Sequence, residues 1–355
     1  ELFRHANVLN VNTDVFYAEG NYFMGNHSVT FGVDWREQDI YNQYVFASLG
    51  EYVFESIEDY RNGIHDFYQL RIGSDPNNPY PAADWTWANT GLFIQDNWAV
   101  TDRLTLQYGL RWDKPDVDQP PRLNEDFLAA FGFPNNGVID EGVLQPRIGF
   151  NYDMSDERYM QIRGGVGLFS GGTPNVWLTN SYTNTGGDVN VYRNFGPDVI
   201  FTPDPDNQPI FSGNATQDVD VLDPDFKAPT KLKSNIAVDV ELPWYGLIAS
   251  AELEYIKDRD AVHFQHLNLG DPTGTLPDGR LSYLRDPYDF SNVRSDARAN
   301  ANPDFNDVLY LTNTNKGETK RATISLELPQ TEHWYAKAAY TYTDATEVSA
   351  CTPSR

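Results

Sequence analysis

The chain has 355 residues, enough for one large domain or two, with 51 acidic against 26 basic side chains and a formal net charge of −25. That balance disfavours a nucleic-acid backbone as partner. The single cysteine, Cys351, excludes an intrachain disulfide and a cysteine-rich metal site, and no run approaches 18 apolar residues, which excludes membrane helices but not membrane strands.

In chain order, ten segments alternate apolar and polar residues with a period of 2, the pattern of strands with two unlike faces. They are expected near 9–19, 28–37, 86–98, 103–113, 144–154, 158–170, 230–242, 245–257, 318–328 and 333–345. In the second, Val29, Phe31, Val33 and Trp35 oppose Thr30, Gly32, Asp34 and Arg36. In the fourth, Tyr108 and Leu110 oppose Gln107, Gly109 and Arg111; in the fifth, Ile148 and Phe150 oppose Arg147 and Gly149. In the seventh and eighth, Val238, Val240, Ala249 and Ala251 oppose Asp239, Ser250 and Glu252, with Ile248 and Ile256 interrupting the polar set. A slip of one residue would exchange the two faces, so register is firmly specified.

The connections between these segments are lopsided. Short ones fall near 20–27, 99–103, 155–157, 243–244 and 329–332; long ones of roughly 30 to 60 residues fall near 38–85, 114–143, 171–229 and 258–317. An outer-membrane barrel has short periplasmic turns and long extracellular loops on strands that are apolar outside and polar inside. The sequence therefore predicts an all-β fold, a transmembrane antiparallel β-barrel, with the long loops outside the cell. Tyr41 to Phe54 reads as a hairpin arm within the first loop, and Asn124 to Phe131 as a helical turn or two. No helix is long enough for a βαβ unit. The soluble alternative is a secreted β-rich sandwich or propeller, a carbohydrate-binding or hydrolytic protein, with its apolar faces packed on another sheet. Against it stand whole strand faces of Gly, Thr, Ser and Asn, and wall glycines such as Gly109, Gly149, Gly165 and Gly167, which let loops or a plug approach closely.

Two runs then carry a family resemblance: Gly91-Leu92-Phe93-Ile94-Gln95-Asp96-Asn97-Trp98 and Leu104-Thr105-Leu106-Gln107-Tyr108-Gly109-Leu110-Arg111-Trp112-Asp113. With Pro146-Arg147-Ile148-Gly149-Phe150 and Ile162-Arg163-Gly164-Gly165-Val166 behind them, they resemble paired barrel strands of the TonB-dependent outer-membrane receptors. Phe54-Glu55-Ser56-Ile57-Glu58-Asp59-Tyr60 and Pro174-Asn175-Val176-Trp177-Leu178-Thr179-Asn180 resemble the Oar-like branch, which carries a carboxypeptidase-regulatory-like domain at its front. The resemblance runs from about Asn10 to Thr346. It implies a 22-stranded plugged barrel, of which residues 1–355 would be an internal portion, with the plug and the C-terminal strands outside this chain. A complete ten-stranded barrel is the other reading of the same strands. The resemblance also implies the outer membrane of a Gram-negative bacterium, an unidentified extracellular ligand, and drive from the TonB–ExbB–ExbD complex through the plug; large loops rich in Tyr, Trp and Asn suit a peptide, protein or glycan as that ligand. Outer-membrane lipid and lipopolysaccharide would surround it. A structural or secretion-associated barrel is the alternative within the same architecture.

No catalytic constellation stands out, and the chain reads as a non-enzyme without a cofactor. His263 and His266 are three apart, so a strand there puts them on opposite faces. Arg111, Arg147, Arg163, Asp239 and Glu252 fall on the polar face and are expected in the lumen, where the arginines would pair with Asp34, Asp153 or Glu252, or with plug residues. Trp177 and Tyr182, in the loop 171–229, are candidate ligand contacts, with loop packing as the plainer role for Trp177. Asp204, Asp206, Asn207, Asp218, Asp220, Asp223 and Asp225 supply the oxygen ligands calcium prefers, without an EF-hand spacing; solvated acidic loops are the plainer account.

Overall fold

The computed structural model describes residues 5–155, 157–172, 175–211, 216–286, 298–329 and 334–347. Its first half contains β1 (Ala6–Met24), β2 (His27–Val45), β3 (Glu51–Val53), α1 (Ile57–Asn62), β4 (Phe67–Gly73), β5 (Ala82–Ala99), β6 (Leu104–Val117), α2 (Glu125–Phe131), β7 (Val143–Asp153) and β8 (Met160–Ser170). The second half contains α3 (Asn175–Thr183), β9 (Val189–Phe195), β10 (Gln217–Leu222), β11 (Thr230–Glu241), β12 (Ile248–Asp258), β13 (Ala261–His266), β14 (Gly274–Thr275), β15 (Leu281–Ser282), β16 (Phe305–Thr314), β17 (Glu318–Leu328) and β18 (Ala336–Thr346). No helix among the described residues is long and apolar enough to cross a membrane.

All ten expected strands lie in one sheet, ordered β1-β2-β5-β6-β7-β8-β11-β12-β17-β18, with every neighbouring pair antiparallel. The sheet is open: β1 and β18 are its edges among the described residues, so the ten strands do not form a closed ten-stranded barrel.

Register shows why the alternation in sequence becomes two surfaces. One row of partners runs Leu104, Tyr152, Ile162, Val238, Ala251, Ile324 and Tyr340 across seven strands. The adjacent row, one residue along each strand, runs Thr105, Asn151, Arg163, Ala237, Glu252, Thr323 and Thr341. The first face is a continuous apolar band, and Ile94, Ile148, Ile236, Leu253 and Ile324 on it are exposed. A band of that extent needs an apolar environment, which lipid supplies.

The short connections lie at one end. Gly25 and Asn26 join β1 to β2, with Gly25 at φ 58°, the left-handed first position of a two-residue hairpin turn. Between β11 and β12, Tyr245 and Gly246 take φ of 59° and 66°. Beyond Pro329, the expected turn at 329–332 lies outside the described residues, as does Cys351.

Several boundaries correct the sequence reading. The first strand continues through Gly20 to Met24, because the Phe31 ring lies directly over Gly20, where a Cβ would meet it at 2.8 Å. That cover makes the glycine a strand residue, not a turn. The hairpin arm expected over residues 41–54 does not form: Tyr41 to Val45 continue β2, and only Glu51–Val53 is a separate strand. The eighth and tenth segments start later than expected, at Ile248 and Ala336. With β1 and β2 at 19 residues each, roughly 60 Å at about 3.3 Å per residue, the wall rises well beyond a bilayer core of about 30 Å.

At the other end the long connections fold together into a cap. β3 and β4 of the first loop pair with β9 of the third, and β10 of the third pairs with β16 of the fourth, which also pairs with β13. The β10–β16 pair is parallel, an exception to the antiparallel expectation. Asn124 caps α2 by accepting from the Phe127 amide at 3.0 Å, as the expected helical turn requires. The hydrophobic cores sit in the cap and the upper wall. One gathers Trp85, Trp87, Leu178, Phe226 and Leu311, and the other Phe127, Val219, Phe305 and Val308.

Candidate functional site

The polar face of the sheet meets the cap around Arg111. Its guanidinium donates to both oxygens of Asp34 at 2.7 and 3.0 Å and to both oxygens of Asp113 at 2.8 and 2.6 Å. Asn89 donates to Asp113 at 3.1 Å, and Gln145 also donates to it. Gln145 in turn accepts from the Ser170 amide at 2.9 Å. Five strands thus converge on one cation held by two carboxylates. Gly91 leaves the room: a Cβ there would stand 2.6 Å from Asp34 and 2.3 Å from Arg111.

A recess of about 670 Å³ opens above this network, lined by Asp34, Gln38, Trp87, Asn89 and Arg111 on the wall and by Asn175 on the cap. Asn175, at the start of α3, donates to Gln38 at 2.8 Å and so ties the roof to β2. The buried Trp87 Nε1 and Asn175 Oδ1 have no hydrogen-bond partner. The recess offers a balanced set of charges, several amides and an indole, groups that orient polar molecules without reacting with them.

The remaining polar-face residues separate into two kinds. Arg163 pairs with Asp239 at 3.0 Å and Glu252 at 3.7 Å, while Gln161 and Asn235 donate to the same carboxylates. Arg147 has no acidic partner within 4 Å among the described residues. Its guanidinium lies 5.4 Å from the Phe169 ring, which Lys233 approaches at 5.6 Å from its own strand. Gly149 and Gly165 face each other beside it and leave that strip of wall bare.

Trp177 and Tyr182 come together within the cap. Trp177 stands edge-on to Phe264 at 4.8 Å, and Tyr182 stacks on Trp85 at 4.6 Å while donating to the Gln119 carbonyl at 2.8 Å. Both are half-buried and pack against the larger core. Burial pushes the Tyr182 hydroxyl up, with the Asp118 charge adding to it.

Sequence reasoning missed the pin that joins three loops. Asp218, buried, accepts from Arg71 at 2.5 Å, from Asn306 at 2.9 Å and from the Asp307 amide at 3.2 Å, with Arg193 at 3.6 Å. These residues lie far apart in sequence, and no local signal marks them. Of the other acids of that group, Asp204 caps a local turn at Asp206, while Asp220 accepts from Asn184 earlier in the same loop and Asp223 accepts from Thr312 of the fourth loop. Among the described residues, no group of three or more His, Cys, Asp or Glu is arranged to hold a metal ion. His263 and His266, on β13, point to opposite sides, and His266 pairs with Asp307 at 3.0 Å.

A second feature also went unread. On the apolar side near the short turns, His27 and Asp96 meet at 2.6 Å, Tyr108 donates to Asp96 at 2.8 Å, and Trp98 stacks on His27 at 5.2 Å. Polar and aromatic groups at that level form the belt expected where a barrel leaves the bilayer.

A family model described as outer membrane beta barrel domain matches residues 4–352. No curated protein matches the sequence. Among solved structures, the chain is similar to the outer membrane transporter YddB from Escherichia coli, at 14% identity over 95% of this chain and 34% of that one, with a TM-score of 0.50. It is similar to a mutant of the ferric enterobactin receptor PfeA from Pseudomonas aeruginosa, at 15% identity over 94% and 36%, with a TM-score of 0.51. It also matches the FrpB iron transporter from Neisseria meningitidis, at 13% identity over 96% and 37%, with a TM-score of 0.51. At such identities the likeness is one of fold, and the chain spans about a third of the length of these proteins.

Proposed function

Because the chain belongs to the outer membrane β-barrel domain family, and so resides in the outer membrane of a Gram-negative bacterium, we propose that it is wall and cap of a TonB-dependent receptor. In this reading it is the internal portion of a 22-stranded barrel of the Oar-like branch. The cap faces the outside and captures a ligand. The plug, contributed by chain beyond these residues, then moves under pull from the TonB–ExbB–ExbD complex and opens a path along the polar face.

The observation that carries this reading is the paired rows of the sheet: an unbroken apolar row beside one that is polar but for Ala237, with the polar face roofed by three interlocked loops. A structure that only anchored itself in lipid would have no use for charges placed under a cap. Arg111 is held by Asp34 and Asp113, and Arg163 by Asp239 and Glu252, so these charges stiffen the wall. Arg147, beside a bare glycine strip, is an inward cation available to a plug or a passing ligand. Trp177 and Tyr182 support recognition by fixing α3 over the recess.

The test separates binding from uptake in intact cells. Binding persists when TonB is deleted, and uptake stops. Uptake that continues undiminished without any TonB system contradicts active transport and leaves a passive or structural barrel.

A further inference from the structure

We propose that the part of the cap built on α1 and the 195–201 segment docks a basic, amphipathic polypeptide segment. The local sequence makes α1 unusual. Ser56 caps its start by accepting from the Asp59 amide, and Gly63 ends it at φ 69°. Between them Ile57 and Tyr60, spaced i and i+3, share one side of the helix, and Ile64 follows just past the cap. That side is largely open to solvent: Ile57 is 73% exposed, Tyr60 56% and Ile64 48%.

The neighbouring segment extends the same surface. Tyr60 and Phe54 both stand edge-on to Phe201, at 5.9 and 5.2 Å, and His65 Nε2 lies 2.7 Å from the Val199 carbonyl. Ile200, between those two contacts, is 82% exposed. The aromatic layer of Tyr52, Phe54, Tyr68 and Phe201 lies beneath, so the patch rests on a packed base. Exposed isoleucines fixed on a packed base, outside any lipid-facing strand, mark an interaction surface.

Charge identifies the occupant. Residues 54–66 and 195–206 carry seven carboxylates and a single Arg or Lys, Arg61, which is spent on Glu58 at 3.7 Å. Glu55, Glu58, Asp66 and Asp198, on the same two segments as the isoleucines, are exposed. An apolar centre with an acidic rim complements a segment with an apolar face flanked by lysine or arginine, and it repels acidic partners. This deepens the receptor reading by naming the chemistry its cap captures, and it rests on the cap facing outward.

The experiment uses the full-length protein in zwitterionic lipid nanodiscs and fluorescent synthetic peptides. One peptide repeats Leu and Lys, the second replaces its Lys by Glu, and the third replaces its Leu by Gly. The Leu–Lys peptide is expected to bind saturably, and the other two at least about tenfold more weakly. The double variant Ile57→Ser/Ile200→Ser and the charge variant Glu58→Lys/Asp198→Lys should each lose about tenfold, while Asp225→Lys elsewhere on the acidic surface should change little. Equal binding of the Lys–Gly peptide, unchanged binding in both tip variants, or no binding of the Leu–Lys peptide overturns the proposal. Peptide binding without TonB-dependent uptake leaves this surface standing and defeats the receptor reading. Uptake of another ligand by a protein that ignores these peptides does the reverse.

Discussion

Arg111 and Arg147 occupy equivalent places in the strand alternation, yet their surroundings differ in kind. Arg111 is clasped by two carboxylates that would otherwise face each other, and its side chain is about a quarter exposed. Removing it leaves Asp34 and Asp113 unpaired together, so Arg111→Ala should cost about 2 kcal/mol or more. Arg147 rests on an aromatic ring, and Arg147→Ala should cost about 0.5–1 kcal/mol. Urea unfolding of the purified protein, followed by loss of its heat-modifiable gel mobility, compares the two. Gly91→Ala should approach Arg111→Ala in effect, since the added methyl enters the space the ion pair occupies. The alternation placed Arg111 and Asp34 on one face, but not Gly91 as the residue that admits them. That role depends on the neighbouring strands, which no local pattern encodes.

At the scale of elements, wall and cap were unequally legible. Each wall strand announces itself by alternation, which one strand decides alone, whereas the first and fourth short connections fall where expected with shifted ends, at Gly25-Asn26 and between Glu241 and Ile248. The cap is decided by contacts between loops. The Asp218 pin, the parallel β10–β16 pair and the stacking of Tyr182 on Trp85 join residues separated by scores of positions. Tyr182→Ala should therefore loosen α3 at a cost of about 2–4 kcal/mol, while Tyr182→Phe, which keeps the stack and loses only the bond to Gln119, should cost about 1 kcal/mol. Limited proteolysis of the cap reads both.

The cap should also carry a pH signature. Burial raises the hydroxyls of Tyr68, Tyr182 and Tyr310 above the ordinary tyrosine value of 10.0. Their stabilising contribution is whole below that value and is lost as pH climbs through the raised values. Asp223 behaves oppositely: burial raises it, but the Thr312 hydroxyl and the Asp225 amide more than offset this and hold it below 3.8. Its contribution is present above that value and fades as pH falls through the lowered one. The tyrosinate absorbance of these three should thus appear only together with cap opening. Early, gradual titration of all tyrosines would contradict the packed cap.

The molecule as a whole is a curtain of ten strands with oil on one side and paired charge on the other, fastened at one end by a cap. Among the described residues the sheet is open, with edges at β1 and β18, and the chain spans about a third of the length of the larger transporters it resembles in fold. The central claim is that the apolar row touches lipid while its neighbour faces an aqueous or protein-filled interior. Placing Arg on the lipid row near mid-membrane should cost about 2–4 kcal/mol, so Ile148→Arg should impair assembly far more than Gly149→Arg. The most direct measurement places single spin labels at Gln107, Tyr108, Gly109, Leu110, Arg111 and Trp112 of the protein in bilayers. Relaxation by oxygen and by a water-soluble nickel chelate is then compared. The account predicts strong oxygen contact at Tyr108, Leu110 and Trp112, with low contact between them. Uniform exposure along β6, or the opposite phase, would contradict it.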